Sequence, residues 1–347
     1  MKKYLIKKYL IISIVIIAIA LVAMIFFFER NRKPVVGILF PIDSATAYSD
    51  RMAGALIAIK SLPDSVKFVD IDFKSSDLST VISKSIKSGI RYFVTFLTSS
   101  QASELRNVLN GKDVILVDSQ VTNPVVINEI KDFYTISPTD TIQASAIADY
   151  IHAQNYKNIL IIKGDQNPIY ENYLSSRIAS DLHNYGINSV ITDANQSLNA
   201  TADCVVLVMS SNRVIEIMPQ IRSRYGMIPV IGSDWTLDQT LLNSKLSNGM
   251  IVTCFADLAN LSKSFKELLY KIKMFPDSPM LLAYNAVIVT FLLAKNGVRA
   301  DDAEKFLDSH AFFGSNGEFT FSNKSVSSKI YFYRISGESL TLLGSWR

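Results

Sequence analysis

From Pro34 onward the chain repeats one unit: a short β-branched run, an amphipathic stretch, then another β-branched run. Strands buried on both faces read as near-continuous apolar runs, and parallel neighbours must be joined by a crossover, usually a helix. The repeat therefore predicts parallel sheets covered by helices on both sides. Candidate strands are VVGILF (35–40), VKFVDID (66–72), YFVTF (92–96), DVILVD (113–118) and FYTIS (133–137). A second series follows with NILIIKG (158–164), SVITDA (189–194), DCVVLVMSS (203–211), IPVIGS (228–233) and GMIVTCF (249–255). Helical stretches lie between them, for instance 101–109, 142–155, 167–185 and 212–224.

The two series look like two copies of one architecture, and 347 residues suit two lobes of about 150 residues each. The first lobe is expected over 34–140, with a late return of the chain to it within 275–347. The second is expected over 141–347, together with the crossover segments. The return follows because strands near 318–321, 329–335 and 339–344 need a sheet to join. No low-complexity linker separates the halves, so the expected joint is a hinge crossed several times.

The N-terminus carries a different signal. Lys2, Lys3, Lys7 and Lys8 precede an uncharged run from Tyr9 to Phe28, which Glu29 ends. Twenty helical residues at about 1.5 Å each span about 30 Å, the thickness of a bilayer's hydrocarbon core. Two readings meet here. A cleavable signal peptide would use the small pair Ala18 and Ala20, whereas the run's continuation to Phe28 favours an uncleaved signal-anchor. The basic flank places the tail inside and the body outside. No cysteine follows the segment, so anchorage through a lipidated cysteine is not expected. With residues 1–33 as stub and transmembrane anchor, the body is expected at the cell membrane, extracytoplasmic and single-pass. No second span or output domain precedes Arg347, so inward signalling would need a partner.

Hydrophobic residues make up 49% of the chain and charged residues 19%, enough apolar matter for two cores. The net charge of +4 gathers partly at the N-terminal flank, with no basic stripe elsewhere, so nucleic acid is not an expected partner. Cys204 and Cys254 fall in apparent buried strands and read as core thiols, although spacing alone leaves a disulfide open. His152, His183 and His310 have no metal-ligand spacing, and neither a metal nor a cofactor is expected. The chain lacks a phosphate-cradling glycine loop, a Gly-x-Ser-x-Gly elbow, an HExxH pair and a CxxC pair. Asp301 and Asp302 sit at an expected helix start, where carboxylates meet unpaired N–H groups. No enzyme activity is expected.

In open α/β sheets, ligands bind beyond the carboxyl ends of the strands. Polar residues after the strands are therefore candidates: Ser44 and Tyr48 after the first, Ser99 and Ser100 after the third, Thr122 after the fourth. In the second half, Tyr170 and the Asp234-Trp235 pair hold the same position. Serine and aspartate at such turns also cap helices, so Ser99 and Ser100 fit either role. Convergence of these loops on one cleft favours binding.

Six segments, in order, resemble the type 1 periplasmic binding proteins, in particular the leucine/isoleucine/valine-binding branch. They are GILFPIDSATAYSDRMAGALIAI (37–59), VILVDSQVTNP (114–124), the interlobe stretch 133–174, GMIVTCFADL (249–258), SPMLLAYNAVIVTFLLAK (278–295) and FFGSNGEFTFSNKSVSSKIYFYRI (312–335). Asp43-Ser44 stands where the family usually has Gly-Pro, and the stretch before Tyr92 is shorter than usual. The resemblance implies a two-lobed periplasmic-binding-protein-like α/β fold, here preceded by one N-terminal transmembrane helix, with a ligand held between closing lobes. By position, Ser99, Ser100 and Thr122 would bind an amino acid's carboxylate side and Asp234 its ammonium. Tyr48 and Tyr170 would wall the cleft, with Ser44 in the first ligand loop. The expected partners are a small polar ligand, an amino acid or similar, and an ABC transporter permease or other membrane protein. The rival expectation is a membrane-anchored adaptor whose degenerate cleft leaves the body to contact a protein.

Overall fold

The computed structural model describes residues 33–42, 48–272, 276–337 and 339–346. The expected transmembrane helix and Ser44 lie outside these residues.

Two sheets carry the fold. In the first lobe, β1 (Val35–Pro41), β2 (Lys67–Phe73), β3 (Tyr92–Thr95), β4 (Ile115–Asp118) and β5 (Phe133–Thr135) run parallel in the order β2-β1-β3-β4-β5. In the second, β6 (Asn158–Lys163), β7 (Asn188–Asp193), β8 (Cys204–Val208), β9 (Val230–Gly232) and β10 (Ile251–Cys254) run parallel as β7-β6-β8-β9-β10. The order is the same in both lobes. Each therefore has its topological switch at the corresponding place, between β1 and β3 and between β6 and β8, where strand-end crevices open.

The helices, in chain order, are α1 (Ser49–Ser61), α2 (Leu78–Lys87), α3 (Ser99–Ser103), α4 (Arg106–Leu109), α5 (Pro124–Glu129) and α6 (Asp140–Ala153). They continue with α7 (Pro168–Asn184), α8 (Ser211–Tyr225), α9 (Gln239–Leu242), α10 (Lys263–Ile272), α11 (Ser278–Lys295) and α12 (Ala300–Ser309).

The expectation of purely parallel sheets is corrected, because both sheets are mixed. β11 (Ala311–Gly314), β12 (Gly317–Ser322) and β13 (Ser325–Val326) extend the first sheet. β13 lies parallel to β5, and β12 and β11 follow antiparallel. β14 (Ile330–Ser336) and β15 (Ser339–Trp346) join β10 antiparallel in the second. Within the pairs β11–β12, β12–β13 and β14–β15, connection length is the physical reason. A parallel neighbour needs a crossover of a dozen or more residues, whereas two residues close a hairpin. Between β12 and β13 those two are Asn323 and Lys324, both at positive φ (51° and 66°), as the turn that matches strand twist requires. The chain thus passes between lobes three times, near 136–139, 255–262 and 327–329.

Successive residues of the first sheet feed opposite faces. Val36, Ile38, Val94 and Val117 pack with α1 and α11, while Leu39, Phe93, Leu116 and Phe133 pack with Leu78, Ile82 and Leu105 on the other side. α11 is apolar all round because it is buried all round. On length and composition alone it could cross a membrane, yet it sits inside the protein against α1, β1, β3 and β4. Gly54 lets α1 approach it, since a Cβ there would meet the Met280 backbone, with the carbonyl carbon at 2.9 Å. Cys204 and Cys254 are free and buried; burial pushes the Cys254 thiol up to about 12 and raises Cys204 as well. They are core thiols.

Candidate functional site

A cavity of about 310 Å³ lies between the lobes at the carboxyl ends of both sets of strands. Its first-lobe wall comes from the loops after β3 and β4 and from the starts of α1 and α11. Asp118, the last residue of β4, builds that wall without lining it. Its Oδ2 accepts from the Thr95 hydroxyl at 2.6 Å and the Leu97 N–H at 2.8 Å. Its Oδ1 accepts the Gln120 and Val121 N–H groups, each at 2.6 Å. One fully buried carboxylate thus ties the two loops together. Burial pushes its carboxyl up to about 6, against those four hydrogen bonds, which favour the charged form. The wall it holds presents Leu97, Thr98, Ser119 and Gln120 to the cavity, with Ser137 behind donating from its hydroxyl to the Ser119 carbonyl at 2.9 Å.

The second-lobe wall centres on Asp234, in a short 3-10 turn after β9. The Tyr170 hydroxyl, from the first turn of α7, donates to Asp234 Oδ1 at 2.7 Å. Trp235 meets the Tyr170 ring edge-on at 5.8 Å between centroids. Burial raises the Asp234 carboxyl above the ordinary range, opposed by hydrogen bonds from Tyr170 and Gln143. Burial raises the Tyr170 phenol well above its usual value too, and the charge of Asp234 adds to it, so Tyr170 stays a donor. Ser210, Ser211 and Asn212, where β8 runs into α8, complete this side with Asp238. Asp238 accepts from the Ser211 hydroxyl at 2.5 Å and caps α9 through the Leu241 N–H at 2.9 Å.

Charge is polarised across the cleft. Among the described residues that line it, Arg51 on α1 brings the positive charge, with its guanidinium carbon 4.9 Å from the Tyr48 ring centre. Asp234 and Asp238 bring the negative charge from the other lobe.

Of the residues singled out in the sequence, Tyr48, Tyr170 and Asp234 meet on the cavity. Ser99, Ser100 and Thr122 are not among its lining residues. Ser99 is buried at the start of α3, and its neighbour Thr98, the cap of that helix, reaches the cavity instead. Ser100 donates through its N–H (3.1 Å) and hydroxyl (2.9 Å) to Asn167 Oδ1 of the second lobe. Thr122 is buried at the interlobe crossing, where its carbonyl accepts from the Asp140 N–H at 2.8 Å. Beside it, burial raises the Asp140 carboxyl well above its ordinary value, while the Thr122 hydroxyl pulls the other way. Arg51, Ser119, Gln120 and the 210–212 turn line the cavity without having been singled out. The strand-end rule reaches three of these, since Ser119, Gln120 and the 210–212 turn directly follow β4 and β8. Arg51 lies on a helix, where that rule does not look. Among the described residues no group of three or more His, Cys, Asp or Glu side chains is placed to hold a metal ion.

No protein-family model matches the sequence, and no curated protein matches it. Solved structures do. The leucine binding protein LivK from Thermotoga maritima is 15% identical, with a TM-score of 0.79 over 90% of this chain and 98% of its own. LivJ, a branched-chain amino acid transporter substrate binding protein from Streptococcus pneumoniae in complex with isoleucine, is 15% identical at 0.75, over 90% and 99%. An ABC transporter solute binding protein from Rhodopseudomonas palustris, in complex with p-hydroxybenzoic acid, is 13% identical at 0.77, over 90% and 97%. The chain therefore has the two-lobed fold of the type 1 periplasmic binding proteins, in the form that the leucine-binding proteins take.

Proposed function

We propose that this protein is an extracytoplasmic solute-binding protein, held at the membrane by residues 9–28. It captures a small polar ligand, an amino acid or similar, between its lobes and delivers it to an ABC-type transporter. The observation that carries this reading is the opposed charge across one interlobe cavity, with Arg51 on one wall and Asp234 on the other. A zwitterion satisfies both at once and draws the lobes together. Hydrogen bonds to charged groups contribute about 1.5–3 kcal/mol each, so a matched pair contributes about 3–6 kcal/mol, and micromolar capture needs about 8 kcal/mol, the rest coming from apolar contact. Tyr48, Trp235, Phe255 and Leu237 offer apolar surface for the remainder of the ligand. The solved structures with this fold are named for the same work, with leucine, isoleucine and hydroxybenzoates as their ligands. On this reading the protein binds and releases its ligand without chemistry.

A thermal-shift screen of the full-length chain against amino acids, amides, nucleobases and sugars tests it. A ligand at a hundred times its Kd stabilises the folded state by about 2.7 kcal/mol, and one class is expected to raise the midpoint clearly. A flat screen on folded protein would overturn capture and favour the membrane-held adaptor.

A further inference from the structure

An edge strand presents unpaired backbone groups to any other strand, and natural sheets blunt their edges with shortness, bulges or charge. Three of the edges here are blunted in those ways. β11 is four residues long, and β15 shifts register against β14 at Phe332–Tyr333. On β2 the Lys67 N–H bonds the Pro34 carbonyl on the β1 side, so Phe68, Asp70 and Asp72 turn their backbone groups outward. Any strand centred there meets two aspartates.

β7, the remaining edge, has no such guard. The N–H groups of Asn188 and Ala194 donate to the Lys157 and Lys163 carbonyls, on the β6 side, at 3.0 and 2.9 Å. Successive residues turn their backbone groups to opposite sides, so those of Ser189, Ile191 and Asp193 face outward. Among the described residues nothing pairs with the N–H or carbonyl of Ser189 or Ile191. The side chains of Val190 and Ile191 lie on opposite faces and are 50% and 38% exposed, so neither flanking layer closes over this edge. The one charge on it is answered, because Asp193 holds Lys163 at 2.6 Å.

We infer that β7 is where a second copy of this chain docks, antiparallel strand to strand, so that the second-lobe sheet continues across a two-fold axis. In antiparallel pairing, residues directly opposite must turn their backbone groups the same way, so the axis passes through a residue and its own copy. An axis through Ile191 stacks the two Ile191 side chains, sets Val190 against Thr192 and brings the Ser189 hydroxyl onto the Asp193 carboxylate. Every outward position then meets its match, and no like charges stand opposite. The corresponding axis on β2, through Asp70, would set that carboxylate against itself. None of the β7 residues lines the cavity, so pairing leaves the cleft open. One strand pair buries less than the about 1,000 Å² of a lasting interface, so the contact is reversible.

Cysteine trapping on the full-length chain in detergent tests it. Cα atoms of a hydrogen-bonded antiparallel pair stand about 5.5 Å apart, within reach of a disulfide, and the native cysteines are buried. Ile191→Cys is expected to give a covalent dimer under mild oxidation. Val190→Cys, whose copies stand on the diagonal about 7–8 Å apart, is expected to stay monomeric. Sedimentation velocity should show the native chain dimerising as its concentration rises and Ile191→Lys remaining monomeric, because two lysines would then face each other across the axis. Ser189→Pro, which removes an outward N–H and no bond to β6, is the second disrupting variant and should do the same. Melting midpoints confirm that each variant is folded. A native chain that stays monomeric throughout would overturn the inference. So would a dimer that survives both Ile191→Lys and Ser189→Pro, since association would then lie elsewhere, or cross-linking of Val190→Cys equal to that of Ile191→Cys.

Discussion

Ser100 of the first lobe and Asn167 of the second are hydrogen-bonded twice, the N–H and the hydroxyl of Ser100 both donating to Asn167 Oδ1, at 3.1 and 2.9 Å. Behind them the buried carboxylate of Glu171 accepts the Gln166 and Asn167 N–H groups at 3.4 and 3.1 Å. Gly164 leaves room for that carboxylate, because a Cβ there would collide with it. Asn123 Nδ2 adds a bond to the Ile169 carbonyl at 3.2 Å, again from lobe to lobe. These contacts join the lobes beside the cavity rather than through a ligand, so they help to set how much of the unliganded protein is closed.

Ser100→Ala is expected to weaken this junction while leaving the cavity wall intact. Losing one neutral hydrogen bond costs about 0.5–1.5 kcal/mol, and apparent affinity falls with the fraction of protein in the binding-competent state. Every ligand should therefore lose the same factor, about three- to tenfold, with selectivity unchanged. Small-angle scattering of the unliganded variant should show a larger radius of gyration than the native chain. A loss confined to one ligand would instead put Ser100 in contact with that ligand.

Gly54→Ala tests the packing beneath the site. The added methyl would overlap the Met280 backbone, and backbone cannot rotate aside as a side chain can. α1 and α11 would have to separate, carrying Arg51, Ser278 and Pro279 with them. Overpacking of this kind costs about 1–3 kcal/mol, and a backbone obstacle puts this case near 3. Urea unfolding should show a lower midpoint, and ligand affinity should fall with it.

Much of this fold is legible in the sequence, because parallel strands buried on both faces leave unmistakable runs such as NILIIKG and DCVVLVMSS. The closing strands are harder. FFGSNGEFTFSNKSVSSKIYFYRI reads as one set of strands, yet the chain changes lobes at 327–329, and nothing in local periodicity marks a change of partner sheet. In the site, strand-end reasoning reaches the loops but not the atoms. Within the 98–101 turn, Thr98 accepts from the Gln101 N–H as the helix cap and lines the cavity, while Ser100 turns toward Asn167. Within 119–123, Asn123 caps α5, Thr122 packs at the crossing, and Ser119 and Gln120 face the cavity. Which residue of a turn caps and which points outward depends on dihedrals that residue types alone do not determine.

Stability should depend on pH through Asp277, the buried cap of α11, whose Oδ1 accepts the Met280 N–H at 2.8 Å. Burial and then the neighbouring Asp50 carboxylate push its carboxyl up to about 8, with Arg51 pulling it down. The native state therefore keeps a proton that the unfolded chain gives up near pH 4, so unfolding releases it. Stability consequently falls as pH rises from about 4 to about 8, and levels off above that window. Asp277→Asn preserves a capping oxygen but cannot titrate. Its melting midpoint is expected to be flatter than that of the native chain across about pH 5–8, whereas an unchanged slope would assign the dependence to other groups.

The last prediction concerns Asp234 and the tyrosine that holds it. Asp234→Asn keeps an oxygen for the Tyr170 hydroxyl and removes only the charge, so an ammonium-bearing ligand should lose about ten- to a hundredfold in affinity. The matching hydroxy acid, which has no ammonium, should lose little. Tyr170→Phe acts one step back. Without its hydroxyl, Asp234 loses a hydrogen bond that favours its charged form, and its already raised carboxyl climbs further. Binding of the ammonium needs Asp234 ionised, so affinity declines as pH falls through that group's titration. In Tyr170→Phe the decline should begin at a higher pH than in the native protein, while near pH 8 the cost should be about three- to tenfold. Calorimetry with one amino acid and its hydroxy analogue across about pH 5–8 separates the two effects. An ammonium ligand that binds Asp234→Asn as tightly as the native chain would remove Asp234 from the recognition of charge and leave the polarity of the cleft to Asp238.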